Sequence, residues 1–192
     1  MKADNLNANV LQLPQLAEVF EALRRGRHIC ANDGELYHAL KQHSEDYRQL
    51  FEKLGFKLVQ HARDFFHFAD ASNFTETASR MALFIFILVE HLADHGMTVE
   101  EAIMTNRFDY ATLPHLKSER YQTYMREAGV TTHEELIAIV RTMERYGFTR
   151  RLGADTFAFN VPVYRFLDLC MNMAEQAEKE TKPEENDGEV EA

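Results

Sequence analysis

The chain has 192 residues, 45% of them apolar, a formal charge of -10 at neutral pH and only two cysteines. That is enough apolar material for one folded domain or two small ones, and it excludes both a low-complexity chain and a disulfide-stapled secreted scaffold. Residues 175–192 hold eight acids against two lysines, leaving -4 on residues 1–174, so bulk acidity does not exclude nucleic-acid contact through a local basic stripe.

Residues 1–9 are polar with no charged-then-apolar leader, and the longest apolar run, residues 81–89, is far short of the ~20 needed to cross a bilayer. Cys30 and Cys170 stand alone and far apart. The expectation is a cytoplasmic protein with reduced thiols and no membrane span.

In chain order, apolar residues at 13, 16, 19, 20 and 23 mark a first helix that ends in Arg24-Arg25-Gly26-Arg27-His28-Ile29. Asn32 with Glu35 has the spacing of a capping box for a second helix to about Gln42, and Ser44 can start a third running to Leu54. Gly55 suits the left-handed position beyond a helix, with Phe56 packing back on the last turn. Residues 57–60 and 65–68 then read as paired strands. Three helices, a glycine stop and a hairpin follow the order of a winged helix.

Asn73 with Glu76 predicts a cap for a long helix through about Asp94, apolar almost all round between residues 81 and 89. Such a helix has to be covered on every side, which places Leu83, Phe84, Phe86 and Ile87 in a dimer or domain-domain interface. Thr98 with Glu101 opens a short helix, residues 115–128 read as a polar-rich helix closed by Gly129, and Thr132 with Glu135 opens another. On that last helix Leu136, Ile139, Val140, Met143 and Tyr146 share one side, while Arg141 and Arg145 point the opposite way.

Tyr146-Gly147-Phe148 then repeats Leu54-Gly55-Phe56 after 92 positions. Each is preceded by Glu and a basic residue, and each Phe is followed nine positions later by another, Phe65 and Phe157. Residues 149–152 and 156–159 form the second expected strand pair, and Pro162 opens a closing helix before the Glu-rich tail. The predicted fold is mainly α with small β-hairpins, an α+β chain of two tandem winged-helix domains. Its parts are a flexible 1–12, domains at 13–71 and 72–173, and a disordered acidic tail at 174–192.

No Gly-rich phosphate loop, nucleophile elbow or zinc cysteine pattern occurs, so neither enzyme activity nor a cofactor is expected. His91 and His95, one helical turn apart, are the best metal candidates, but no third ligand can be named and no metal is predicted. Phe65, Phe66, Phe68 and Phe74 could stack on bases, yet their hairpin spacing fits a core. His61 and His67 could pair across the hairpin, and His38, His43, His115 and His133 read as solvated. Arg141, Arg145, Arg150 and Arg151 suggest a phosphate track on the second helix and wing, with Glu134 and Glu144 as possible neutralising partners. Arg24, Arg25 and Arg27 are the next candidates.

At Leu23-Arg24-Arg25-Gly26-Arg27-His28-Ile29, and again at Glu144-Arg145-Tyr146-Gly147-Phe148 and Tyr164-Arg165-Phe166, the chain resembles the MukE and MksE family, most nearly MksE. These are tandem winged-helix subunits of bacterial condensins, and the similarity runs over roughly residues 13–173, with no recognisable pattern in 97–118. The resemblance implies a non-catalytic, nucleoid-associated homodimer that binds a kleisin (MksF or MukF type), helps join it to an SMC ATPase (MksB or MukB type) and contacts double-stranded DNA without sequence preference. Its role would be chromosome organisation and segregation or plasmid restriction. The competing reading is a free-standing dimeric winged-helix transcription regulator, although Arg141 and Arg145 offer phosphate grip without the Asn, Gln or Lys that read base edges.

Overall fold

The computed structural model describes residues 12–69 and 75–169. The predicted N-terminal segment, Asn73, Phe74, Cys170 and the acidic tail lie outside them. Within them the chain is a mixture of helices and small antiparallel sheets, with buried apolar side chains gathered in two clusters.

The first cluster belongs to α1 (Leu16–Arg24), α2 (Glu35–Gln42), α3 (Ser44–Lys53), β1 (Leu58–Gln60) and β2 (Phe66–Phe68). Val19 and Leu23 from α1, Leu40 from α2 and Tyr47 and Phe51 from α3 close on Ile29, Leu58 and Phe66. Phe20 tilts onto Phe51 and meets Phe56 edge-on, and Phe56 stacks on Phe68 at 4.9 Å. The phenylalanines of this hairpin are thus core, as their spacing suggested.

The second cluster gathers α4 (Glu76–Asp94), α5 (Val99–Thr105), β3 (Phe108–Asp109), α6 (Glu119–Glu127), α7 (His133–Arg145), β4 (Thr149–Arg151) and β5 (Thr156–Phe159). α4 packs against α5, α6 and α7, and its Phe84, Ile85, Ile87 and Leu88 are buried. Phe84 and Ile87, expected at an interface, therefore serve this chain's own core. Leu83 is half-buried and Phe86 is 43% exposed. No single helix among the described residues is long and apolar enough to cross a membrane.

The repeated phrase folds the same way twice. Gly55 has φ +84 and Gly147 has φ +86. At the first, the Gly55 and Phe56 amides donate to Glu52 O (3.0 Å) and Phe51 O (2.8 Å); at the second, Gly147 and Phe148 donate to Glu144 O (3.1 Å) and Met143 O (2.9 Å). Both are the paired C-terminal bonds that a left-handed residue permits. The hairpins that follow differ in register. Phe65 accepts from His61, six positions past its glycine, whereas Phe157 pairs with Arg151, four positions past its own. Equal spacing in sequence does not give equal places on the ladder.

A further segment joins each sheet, as a single bridge in the first and as a strand in the second. Ile29 exchanges two bonds of 2.8 Å with Phe66, so β2 lies between it and β1. In the second half β5 lies between β3 and β4, with Phe108 opposite Phe157 and Thr149 opposite Phe159. From the strand segment onward both halves run helix, helix, hairpin, with the last strand in the middle; one helix, α1, precedes that segment in the first half and two, α4 and α5, in the second. β3 comes from the stretch 97–118, where sequence showed no pattern.

Several expected caps are replaced. Asp33, not Asn32, provides the side-chain acceptor before α2, taking the Cys30 amide at 2.9 Å, and Gly34 precedes the helix. Thr98 precedes α5 without a side-chain cap bond, while the Thr132–Glu135 box on α7 forms. The polar helix expected over 115–128 is broken. Pro114–Leu116 is a 3-10 turn, and Ser118 starts α6 afresh by accepting from the Tyr121 amide at 3.2 Å. Thr75 caps α4 through the Ala78 amide, and Pro162 sits in the 3-10 turn Val161–Val163, with helix over residues 164–169.

Candidate nucleic-acid interface and the joint beside it

The tripeptide Gly26-Arg27-His28, leaving α1, lies across the C-terminal end of α7. The His28 amide donates to Tyr146 O at 2.9 Å, and Arg27 Nη1 reaches both Glu144 O and Arg145 O at 3.3 Å. The other side of the guanidinium forks onto Asp33 Oδ1 at 2.9 and 2.6 Å. A cation at the end of α7 meets carbonyls that lack helical partners and the negative end of the helix dipole. The approach is close: a Cβ on Gly147 would stand 2.3 Å from His28 O, and one on Gly26 would stand 2.8 Å from the Tyr146 ring.

His28 is buried between the halves, 4.5 Å from Phe148 and 5.1 Å from His67 between ring centroids. Its Nδ1 is 3.2 Å from Tyr146 O and its Nε2 is 2.5 Å from Arg165. Only the neutral ring with the proton on Nδ1 satisfies both, donating to the carbonyl and accepting from the guanidinium. Burial first, then the charges of Arg165 and His67, push its pKa down to about 3.

Asn160 is the second tie. Its Nδ2 donates to Gly147 O (3.1 Å) and Thr149 O (3.2 Å), while its Oδ1 accepts from Arg150 and from Asn32 of the first half, both at 2.8 Å. Every hydrogen-bonding valence of this buried amide is filled. On the outside, Arg63 pairs with Glu100 at 2.9 Å and lies over the Tyr164 ring, and His61 faces Asp168 at 3.5 Å.

The predicted cations fall into three groups. Arg27 and Arg150 both brace the fold: the first uses all three of its nitrogens on α7 and Asp33, and the second donates through Nη1 to Phe159 O and Asn160 Oδ1. Arg24 and Arg25 are exposed, and both pair with Glu21, whose carboxyl is held below its usual range first by the hydrogen bond from Arg24. Arg151 pairs with Glu144 at 3.2 Å. Arg141 is exposed with no ion pair among the described residues, and Arg145 is exposed over the Tyr146 ring. The Arg27 clamp joins the ends of α1 and α7, so the two basic clusters, 117 residues apart at Arg27 and Glu144, become neighbours. Glu134 lies in the first turn of α7, away from this end.

The family model for the condensin complex protein MksE matches residues 14–171. The chain belongs to the MksE family. No curated protein matches it. The matched span of this MksE-family chain takes in both halves and every residue of the joint. The stretches that carried the family resemblance, around Arg27-His28, Tyr146-Gly147 and Arg165, are those that meet there.

Elsewhere the histidines differ: His38 and His133 are exposed and His43 is half-buried. The His91 and His95 rings lie 4.2 Å apart, and among the described residues no three His, Cys, Asp or Glu side chains gather as a metal site. His115, expected to be solvated, is buried against Phe84, with Nε2 2.8 Å from Phe84 O, and burial pushes its pKa down to about 4. His67, a possible partner of His61 across the hairpin, is buried.

Proposed function

We propose that this MksE-family chain is a non-catalytic condensin subunit built as two tandem winged-helix domains, residues 13–71 and 72–173. It dimerises, binds the kleisin, helps join it to the SMC ATPase, and contacts duplex DNA on the nucleoid without sequence preference. The tandem reading is supported by the order helix, helix, hairpin after a strand segment that pairs with the last strand, common to both halves. The outcome served is chromosome organisation and segregation or plasmid restriction.

The observation that carries the DNA reading is that Arg27, just past the end of α1, bonds the Glu144 and Arg145 carbonyls, so the segment that follows Arg24 and Arg25 reaches the end of the helix that carries Arg141 and Arg145. Phosphate contacts of this kind are sequence-independent. A regulator that reads bases would use the start of its recognition helix, where α7 carries Glu134 and Glu135. Duplex binding measured against salt tests the reading. Each phosphate contact adds about 0.9 to the slope of log affinity on log salt, so Arg141→Glu with Arg145→Glu should flatten the slope by about 2 on every sequence. An unchanged slope would remove this surface from consideration, and a discrete operator would favour the regulator. Co-purification of a coiled-coil ATPase and a kleisin from the native cell tests the assembly.

A further inference from the structure

Residues 138–155, from the later part of α7 through the turn of the second hairpin, hold four arginines against Glu144 and Asp155, a net of +2, whereas residues 1–174 as a whole carry -4. That charge points outward. Arg141, Arg145 and Arg151 are exposed, and Arg151 pairs with Glu144 at 3.2 Å. Arg151 and Arg141 both lie within electrostatic reach of the Tyr110 phenol, together with Glu144 and Asp155, so the cations of α7 and of β4 share one side of the second half. We propose that residues 175–192 lie back on this face and occupy it until duplex DNA displaces them.

Charge and reach name the occupant. Residues 175–192 hold eight acids against two lysines, a net of -6. The described residues stop at 169, one helical turn past Arg165, whose Nη1 is 2.5 Å from the His28 ring, and that ring bonds Tyr146 O at the end of α7. From 169 to 175 an extended chain can span about 20 Å, and from 175 to 192 a further ~60 Å, so every acid can reach the face. Contacts between exposed charges are individually weak, but a segment tethered to its target acts at an effective concentration in the millimolar range. Duplex is the stronger ligand. The extended segment offers one acid per about 7 Å, against one phosphate charge per ~1.7 Å of duplex, so DNA displaces the segment and not the reverse. The docking rests on charge and reach; its role as a competitor rests on the DNA reading.

Amide spectra test it, comparing the full-length protein with a full-length variant in which all eight acids of residues 175–192 are changed to Gln or Asn. At about 20 mM salt the two should differ at residues 138–155, and the difference should vanish near 1 M, where the screening length is about 3 Å. A synthetic peptide of residues 175–192, added to the variant, should restore the original positions. Duplex should bind the variant roughly tenfold tighter at low salt and equally well at high salt. Identical spectra at low salt, or differences confined to other residues, would overturn the docking. So would differences that grow with protein concentration, because the segment would then lie on a second copy. Duplex binding with no gain in the variant would overturn the competition, whereas amide differences with duplex bound by neither protein would support the docking and sink the DNA reading alone.

Discussion

Gly55 and Gly147 have the same backbone angle in different surroundings, and substitution separates the two contributions. Alanine at either position adopts a left-handed conformation at roughly 1 kcal/mol. At Gly147 the new methyl also overlaps His28 O, whereas at Gly55 it meets nothing within 4 Å among the described residues. Gly147→Ala is therefore expected to lower the melting temperature well beyond Gly55→Ala, with loss of the contacts between the halves. Equal effects in thermal melts would mean that the joint yields without resistance.

His28 and His115 set the acid side of stability. Their folded values, about 3 and about 4, lie below the ordinary 6.5, with burial the leading cause for both. The unfolded chain then binds more protons below pH 6.5. Their contribution is whole above that pH and is lost as pH falls toward 4 and 3. Arg165 and His67 beside His28, and His91 beside His115, oppose a charged ring and add to the effect of burial. Between pH 8 and pH 5 each should cost about 2 kcal/mol, read as a falling urea midpoint. A midpoint constant over that range would show both rings titrating in the folded state. Neither ring was legible in the sequence, since periodicity finds apolar faces and carries no signal for a histidine whose burial depends on a distant carbonyl.

For whole elements the sequence was read well where a local rule decides. α3, the Thr132–Glu135 box and both glycine stops form as expected because capping and left-handed backbone are chemistry within a few residues. It was read poorly where a long-range partner decides. Asn32 forgoes its box for Asn160, 128 residues away, and Arg150 looked like a wing cation but braces that same amide. The role of Arg150 can be separated from that of its neighbour. Arg150→Met should destabilise by roughly 1–3 kcal/mol, because it strips a bond from a buried polar group, while Arg151→Met loses an exposed ion pair of at most about 1 kcal/mol. Equal denaturation midpoints for the two would return Arg150 to the surface.

α4 shows the same division. Its apolar content announced a covered helix, but not which residue faced outward; α5, α6 and α7 cover Phe84 and Ile87 and leave Phe86 at 43% exposure. Phe86→Asp should therefore leave the melting temperature of the isolated protomer nearly unchanged. If Phe86 is in a dimer contact, the same change should lower the sedimentation mass at equal concentration. A collapse of the fold itself would place Phe86 in the protomer's core.

Across the whole molecule, two apolar cores meet through a joint that is largely polar. Arg63 with Glu100 and Asn32 with Asn160 cross between the halves without belonging to either core, around the buried His28. Polar joints between compact units couple them only as strongly as their contacts allow. The intact chain is expected to unfold in a single calorimetric transition, with both cores melting together while the joint holds. Asn32→Ala with Arg63→Met removes two crossings and leaves Arg27 on Asp33, so no buried carboxylate is stranded. The expected result is a split into two transitions, or a calorimetric enthalpy that exceeds the van't Hoff value. Two transitions already present in the unaltered protein would mean that the Arg27 clamp does not couple the halves, and the basic clusters on α1 and α7 would then be free to part.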